Sequence, residues 1–305
     1  MKYLKPKPKT KTRRVRETAG VLAQLQFLVV RPSQQLLKWV GNKYRSAGEI
    51  VEAMPAHFSR YVEPFVGTGA VLATLAPQDA LAGDVLKPLI DFWLLVQNDP
   101  NRLSNYYATT WTAFVRNPSE IYRKIRDAYN RDPNPFDLLF LSRSCYGGVI
   151  RFTKEGKIST PIGPHKPIPP ASFARRLAEW RIRVQHTRFV YADFETTMAE
   201  ARAGDLVYCD PPYVDSQAIL YGAQAFELER LWRAIDLCVS RGAKVMLSID
   251  GRKRSGKVQI HLDLPYGLFK REKFLNCGQS MLRRFQKKGE TLEGEGVHDR
   301  LLLTW

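Results

Sequence analysis

Cysteine is scarce and scattered in this chain. Cys145, Cys209, Cys238 and Cys277 form no CxxC pair and have no histidine at ligand spacing. The usual signatures of a disulfide framework and of a zinc site are therefore missing, and the expectation is a reduced compartment and no metal. The five histidines, His57, His165, His186, His261 and His298, are equally dispersed, and none is assigned catalysis. Long apolar runs are lacking too. No stretch approaches the roughly 18 residues of a spanning helix, and Met1-Lys2-Tyr3-Leu4-Lys5-Pro6 has no signal-peptide character. A soluble cytoplasmic protein with no membrane partner is expected. The last shortage is of negative charge: 30 Asp and Glu against 47 Lys and Arg leave +17 over 305 residues. Such a field attracts phosphate-rich polymers, so nucleic acid is the first partner to consider.

With 44% hydrophobic residues the chain can build a full core. Residues 1–20 cannot contribute to it. They carry eight basic residues (Lys2, Lys5, Lys7, Lys9, Lys11, Arg13, Arg14 and Arg16) interleaved with Pro6 and Pro8, a composition that predicts a flexible arm lying along phosphates or merely solvated. An amphipathic helix is predicted over 46–56. Then Arg60-Tyr61-Val62-Glu63-Pro64-Phe65-Val66-Gly67-Thr68-Gly69-Ala70 reads strand, glycine turn, helix, the order of a first βα unit in a nucleotide-binding sheet. A GxG alone is weak, because many tight turns bind nothing. Asp84 strengthens it: an acid ending a second short strand, seventeen residues after Gly67, is placed to accept ribose hydroxyls, or to cap the helix that follows.

Residues 85–142 read as helical. Asn117-Pro118 and Asn134-Pro135 mark helix starts, and apolar and aromatic residues recur at helical spacing. The stretch Arg143 to Lys157 alternates glycine, aromatic and basic residues, predicting a glycine-bent hairpin with Tyr146 at its tip that suits a DNA groove. After a helix over 172–180, a strand over 184–190 leads to Asp193. A strand over Asp205–Cys209 then stops at Asp210-Pro211-Pro212-Tyr213, because proline cannot continue a central ladder. A helix over 228–241, a strand over 243–249, a basic loop over 251–257 and a closing hairpin containing Arg283, Arg284, Lys287 and Lys288 complete the chain. The alternation predicts a doubly wound α/β sheet.

Taken together, Leu37-Lys38-Trp39-x-Gly41-x-Lys43, Glu63-Pro-Phe-Val-Gly-Thr-Gly69, Gly83-Asp84, Arg143-x-x-Tyr146-x-Gly148-x-x-Arg151, Asp193-Phe194 and Asp210-Pro-Pro-Tyr213 resemble the Dam-like DNA adenine-N6 methyltransferases in order and spacing, over about residues 36–250. The resemblance implies a Rossmann-like class I methyltransferase sheet dependent on S-adenosylmethionine. It implies a catalytic domain from 21–88 and 184–305, and a helical and hairpin DNA-recognition insert over 89–183. By position it implies that Trp39, Lys43, Phe65, Gly67, Gly69, Asp84, Asp193, Phe194 and Asp210 contact the cofactor. Asp210, Pro211, Pro212 and Tyr213 would hold a flipped adenine, and Lys38, Arg143, Tyr146, Arg151, Lys154, Lys157 and Lys166 would contact double-stranded DNA.

Pro164 and Gly147 stand where relatives that read GATC often carry a basic residue and an Asn, so a GATC site is not implied. A partner endonuclease is not inferable, and a monomer is expected in the free state. An enzyme acting on RNA or on the N4 amine of cytosine, and an inactive DNA-binding relative, stay open as alternatives.

Overall fold

The computed structural model describes residues 30–212, 226–253, 258–259, 264–279 and 296–305. The basic arm, Tyr213 and the four basic residues at 283–288 lie outside the described residues. Strands β1 (Tyr61–Glu63), β2 (Ala80–Asp84), β3 (Thr187–Tyr191), β4 (Leu206–Cys209), β5 (Lys244–Lys253), β7 (Arg271–Gln279) and β8 (Gly296–Leu303) form one sheet in the order β3-β2-β1-β4-β5-β8-β7, with β6 (Val258–Gln259) paired to the end of β5. The five strands from β3 to β5 run parallel. Strand β8 is antiparallel to both β5 and β7.

A parallel strand covered on both faces must be apolar at every position. Accordingly all of Leu206-Val207-Tyr208-Cys209 is buried. The two-residue period sends Tyr61, Leu206, Tyr208 and Met246 into one core and Val62, Val207, Cys209, Val245 and Leu247 into a second core behind the sheet. The first core is covered by α1 (Ala47–Glu52), α2 (Ala70–Leu75) and the run α3 (Lys87–Asn98), α4 (Pro100–Arg116), α5 (Pro118–Arg131), α6 (Pro135–Ser144) and α7 (Pro170–Val184). Helices α8 (Phe194–Ala199) and α9 (Leu228–Ser240) cover the other. The helical stretch after residue 89 thus shares one continuous core with the sheet: Trp93 stacks on Trp180 and Phe189, and Tyr107 on Phe173.

Asn117 and Asn134 do precede helices that open on proline, and the Asn134 side chain accepts from the Asp137 N–H at 2.9 Å. Four expectations are corrected. Helix α1 is shorter than 46–56. Helix α7 runs through Val184, so β3 starts only at Thr187; Leu177, Trp180 and Val184 bury one helical face, and that period outweighs the strand pattern. Residues 251–253, expected in a loop, extend β5 because β6, a few residues on, and β8, far along the chain, supply pairing partners. The tip of the basic hairpin is the Thr153–Gly156 turn, where the Thr153 N–H donates to the Lys157 carbonyl at 2.8 Å. Tyr146 sits at the base instead, its N–H bonded to the Pro161 carbonyl at 2.9 Å.

The chain leaves β1 towards β2 and β3 on one side, and continues from β4 to β5 on the other. Ligands of such sheets bind in the crevice beyond the carboxyl ends of the strands where the order reverses. Here that crevice lies between the end of β1 and the end of β4.

Candidate active site

A cleft occupies that crevice, lined by residues from Trp39–Lys43, Glu63–Thr68, Asp84, Asp193, Phe194, Asp210–Pro212 and Phe226. One wall is the glycine turn. Gly67 and Gly69 adopt positive φ of 47° and 60°, a conformation that L side chains disfavour. Asp84 fastens the turn from below: its Oδ2 accepts the Gly67 N–H at 3.0 Å and its Oδ1 the Leu86 N–H at 3.0 Å. The carboxylate is buried and lines the cleft, and an ionised carboxylate offers about four lone-pair sites. Trp93 of α3 donates its indole N–H to the Gly67 carbonyl at 3.0 Å. No motif pointed to Trp93; its role depends on a side-chain contact between a helix and a turn distant from it.

The opposite wall is charged. Lys43 Nζ lies 2.6 Å from Asp210 Oδ1 and 3.4 Å from Asp299 Oδ2, and donates to the Gly41 carbonyl at 3.3 Å. Gly41, at φ 72°, makes the turn that brings Lys43 round. Lys43 and Asp299 are buried and Asp210 is partly open. Glu63, at the end of β1, also faces the cleft and accepts a hydrogen bond from the Tyr61 hydroxyl at 2.9 Å. Burial pushes its carboxyl well above the usual carboxylate range, and the nearby Asp210 charge adds to the push against the Tyr61 bond. Glu63 was missed as a separate site residue although it heads the glycine motif. Asp299 carried no motif at all.

Between the walls runs an aromatic strip. Phe65 stacks on Phe194 with ring centroids 5.2 Å apart, and Phe226 packs against both at 6.0 and 5.8 Å. Asp193 caps α8 by accepting the Glu195 N–H at 2.9 Å. Arg230 of α9 pairs with Asp193 at 3.1 Å and lies over the Phe194 ring at 5.1 Å. Phe226 and Arg230 were not anticipated: Phe226 lines the cleft just before α9, and Arg230 of α9 holds Asp193 beside it.

Of the residues expected at DNA, Lys38, Lys154, Lys157 and Lys166 are exposed and Tyr146 and Arg151 are half-buried. Gly148 has φ 69°, and a Cβ there would sit 2.7 Å from Lys38 Cδ. The lysine stem therefore crosses the Tyr146–Gly148 turn and joins the basic hairpin to the rim of the cleft. Arg143 is placed elsewhere. Its guanidinium is buried, 6% exposed, and donates to the Leu36 and Gln35 carbonyls at 2.8 and 3.3 Å, clamping α6 to the segment before Trp39. Burial lowers its pKa to about 10, a value at which it stays cationic at neutral pH.

The sequence profile of the D12 class N6 adenine-specific DNA methyltransferases matches residues 39–279. The DNA adenine methylase of Vibrio cholerae serotype O1 is 28% identical over 232 residues, covering 72% of this chain and 82% of that protein. The type II methyltransferase M.MjaIII of Methanocaldococcus jannaschii is 29% identical over 242 residues, covering 70% and 82%. The DNA adenine methylase of Serratia marcescens is 31% identical over 196 residues, covering 62% and 70%. The chain belongs to the D12 class of N6 adenine-specific DNA methyltransferases, enzymes that use S-adenosylmethionine as methyl donor.

Proposed function

We propose that the cleft between β1 and β4 binds S-adenosylmethionine along the glycine turn, and holds a flipped-out adenine of double-stranded DNA against Asp210-Pro211-Pro212. The residues present suit that cofactor. Asp84 is an acceptor for ribose hydroxyls, Gly67 keeps the cleft wall clear of a side chain while Gly69 makes room for Trp93 behind it, and Trp39, Phe65 and Phe194, with Asp193 beside them, offer apolar faces and an acceptor to an adenine ring. Asp210 and Asp299 outnumber Lys43 in the charged cluster, which favours a cationic group there. When bound, the cofactor supplies a methyl group on a sulfonium, the electrophile of the reaction.

The acceptor amine is a poor nucleophile, because its lone pair is conjugated into the ring. Asp210 and the Pro211 carbonyl accept its two N–H hydrogens, draw the nitrogen towards tetrahedral geometry and aim its lone pair. Pro212 stiffens the turn that presents both acceptors, and Tyr213 stacks on the extruded base. Lys38, Arg151, Lys154, Lys157 and Lys166 contact phosphates or base edges, and Tyr146 fills the gap left in the stack. Recognition is sequence-specific, and the enzyme works as a monomer in the cytoplasm. Pairing with a restriction endonuclease is suggested by the type II relative alone.

The observation that carries this reading is the convergence of Asp210–Pro212 and the glycine turn on one cleft at the switch point of the sheet. Its test is transfer of labelled methyl from S-adenosylmethionine to mixed-sequence duplex DNA. Asp210→Ala is expected to slow single-turnover transfer by about 10²–10³-fold or more, while cooperative melting is retained. Undiminished transfer by that variant sinks the role given to Asp210.

A further inference from the structure

Asp299 stands on β8, the antiparallel strand beyond β5, and is only 3% exposed. Among the described residues its Oδ1 has no hydrogen-bond partner. Its Oδ2 is 3.4 Å from Lys43 Nζ, whose shorter contact is the 2.6 Å pair with Asp210. A buried carboxylate oxygen left without a donor is disfavoured, and each such group in a folded protein calls for an explanation.

The reaction supplies one. In the state seen, Asp210 Oδ1 is occupied by the Lys43 ammonium. To engage an adenine amine, Asp210 needs that contact loosened, and Lys43 is too buried to find water instead. An ammonium stripped of its partner in such a place is strongly disfavoured. A second carboxylate on its other side removes the difficulty, since the lysine then moves from one anion towards another.

We propose that Asp299 is a positioning residue of the transferase centre: it takes over the Lys43 ammonium as Asp210 engages the adenine amine. The proposal rests on the reading of Asp210 as the residue that holds the amine. No bond is made or broken; one ion pair lengthens while its neighbour shortens. Asp299 also keeps the cluster of one cation and two anions at net negative charge, which suits a cationic cofactor.

The test is single-turnover methyl transfer to mixed-sequence duplex DNA by the full chain, comparing Asp299→Asn, Lys43→Met, the double variant and Asp210→Ala. Asp299→Asn is expected to slow transfer about tenfold or more, because the lysine then stays committed to Asp210. Affinity for S-adenosylhomocysteine, which lacks the sulfonium charge, should change less than about threefold. If Asp299 acts through Lys43, adding Asp299→Asn to Lys43→Met costs less than about twofold further, the mark of residues working as one unit. An undiminished rate in the single variant, or losses that multiply in the double variant, overturns the proposal.

Should Asp299→Asn fail to fold, Lys43→Met decides. With no ammonium to pass between the two carboxylates, transfer should slow about tenfold or more. An undiminished rate overturns the proposal. Asp210→Ala separates the two readings: normal transfer by it refutes the role of Asp210 itself, whereas a dead Asp210→Ala beside a normal Asp299→Asn refutes only the role of Asp299.

Discussion

At the glycine-turn end of the cleft, Asp84 binds the main-chain N–H groups of Gly67 and Leu86, all within two consecutive βα units. At the other end Lys43, Asp210 and Asp299 come from the turn before α1, the end of β4 and the antiparallel strand β8. The first end is local and held by backbone. The second is assembled from three distant stretches and held by side-chain charge. The difference predicts different failures: damage to the first end should cost shape, cofactor affinity and stability together, whereas damage to the second should cost chemistry first.

Asp84→Ala is the strongest way to break that comparison. It leaves two main-chain donors without their acceptor in a buried place, at about 1–3 kcal/mol each, and frees the turn that has to lie against the cofactor. Melting should fall by several degrees and cofactor affinity by at least about tenfold, read by thermal denaturation and calorimetric titration. Asp210→Ala should differ, because Asp299 remains beside Lys43 and the buried lysine keeps a carboxylate. If Asp84→Ala lowered activity alone, with melting and affinity intact, the distinction between the two ends would be lost.

The same distinction governs what could be read from the residues. The glycine turn with Asp84, and the Asp210-Pro211-Pro212 break, were legible because each is contiguous and dictated by backbone chemistry: positive φ at Gly67 and Gly69, a ladder stopped by proline. Trp93, Phe226, Arg230 and Asp299 were not legible, since each joins the site through side-chain contacts between distant elements. Arg143 illustrates the reverse case. Its basic character and its place in a hairpin motif suggested a surface contact, but the end of α6 is buried, and the guanidinium bonds the carbonyls of Gln35 and Leu36. Strand β5 outran its expected end for a related reason: its partner β8 lies far along the chain.

A smaller effect sharpens the comparison at the junction of β2 with α8. A Cβ on Gly83 would collide with the side chain of Thr197, a short, buried, β-branched residue that cannot swing aside. Gly83→Ala should therefore push α8 away and cost about 1–3 kcal/mol, visible as a lower denaturant midpoint. Thr197 Oγ1 also bonds the Asp193 carbonyl at 3.3 Å, so the shift passes to Asp193 and Phe194 and weakens cofactor binding. Adding Thr197→Ala should recover much of the loss. Failure of that rescue would mean that the close approach is not what requires glycine here.

The smallest effect on the chemical step is expected from deleting residues 1–20, which carry eight lysines and arginines and lie outside the described residues. Each phosphate neutralised by a basic side chain contributes about −0.9 to the slope of log affinity against log salt on duplex DNA. If the arm engages several phosphates, its removal should weaken DNA binding most at low salt and flatten the slope by several units, while single-turnover transfer at saturating DNA stays within about twofold. The two readouts separate two kinds of basic residue. Removing Lys38, whose stem crosses Gly148 beside the cleft, should alter transfer even when DNA is saturating, because its position is tied to the catalytic rim. An arm deletion that left the salt slope unchanged would assign phosphate binding to the folded part alone, where Lys154, Lys157 and Lys166 stand exposed.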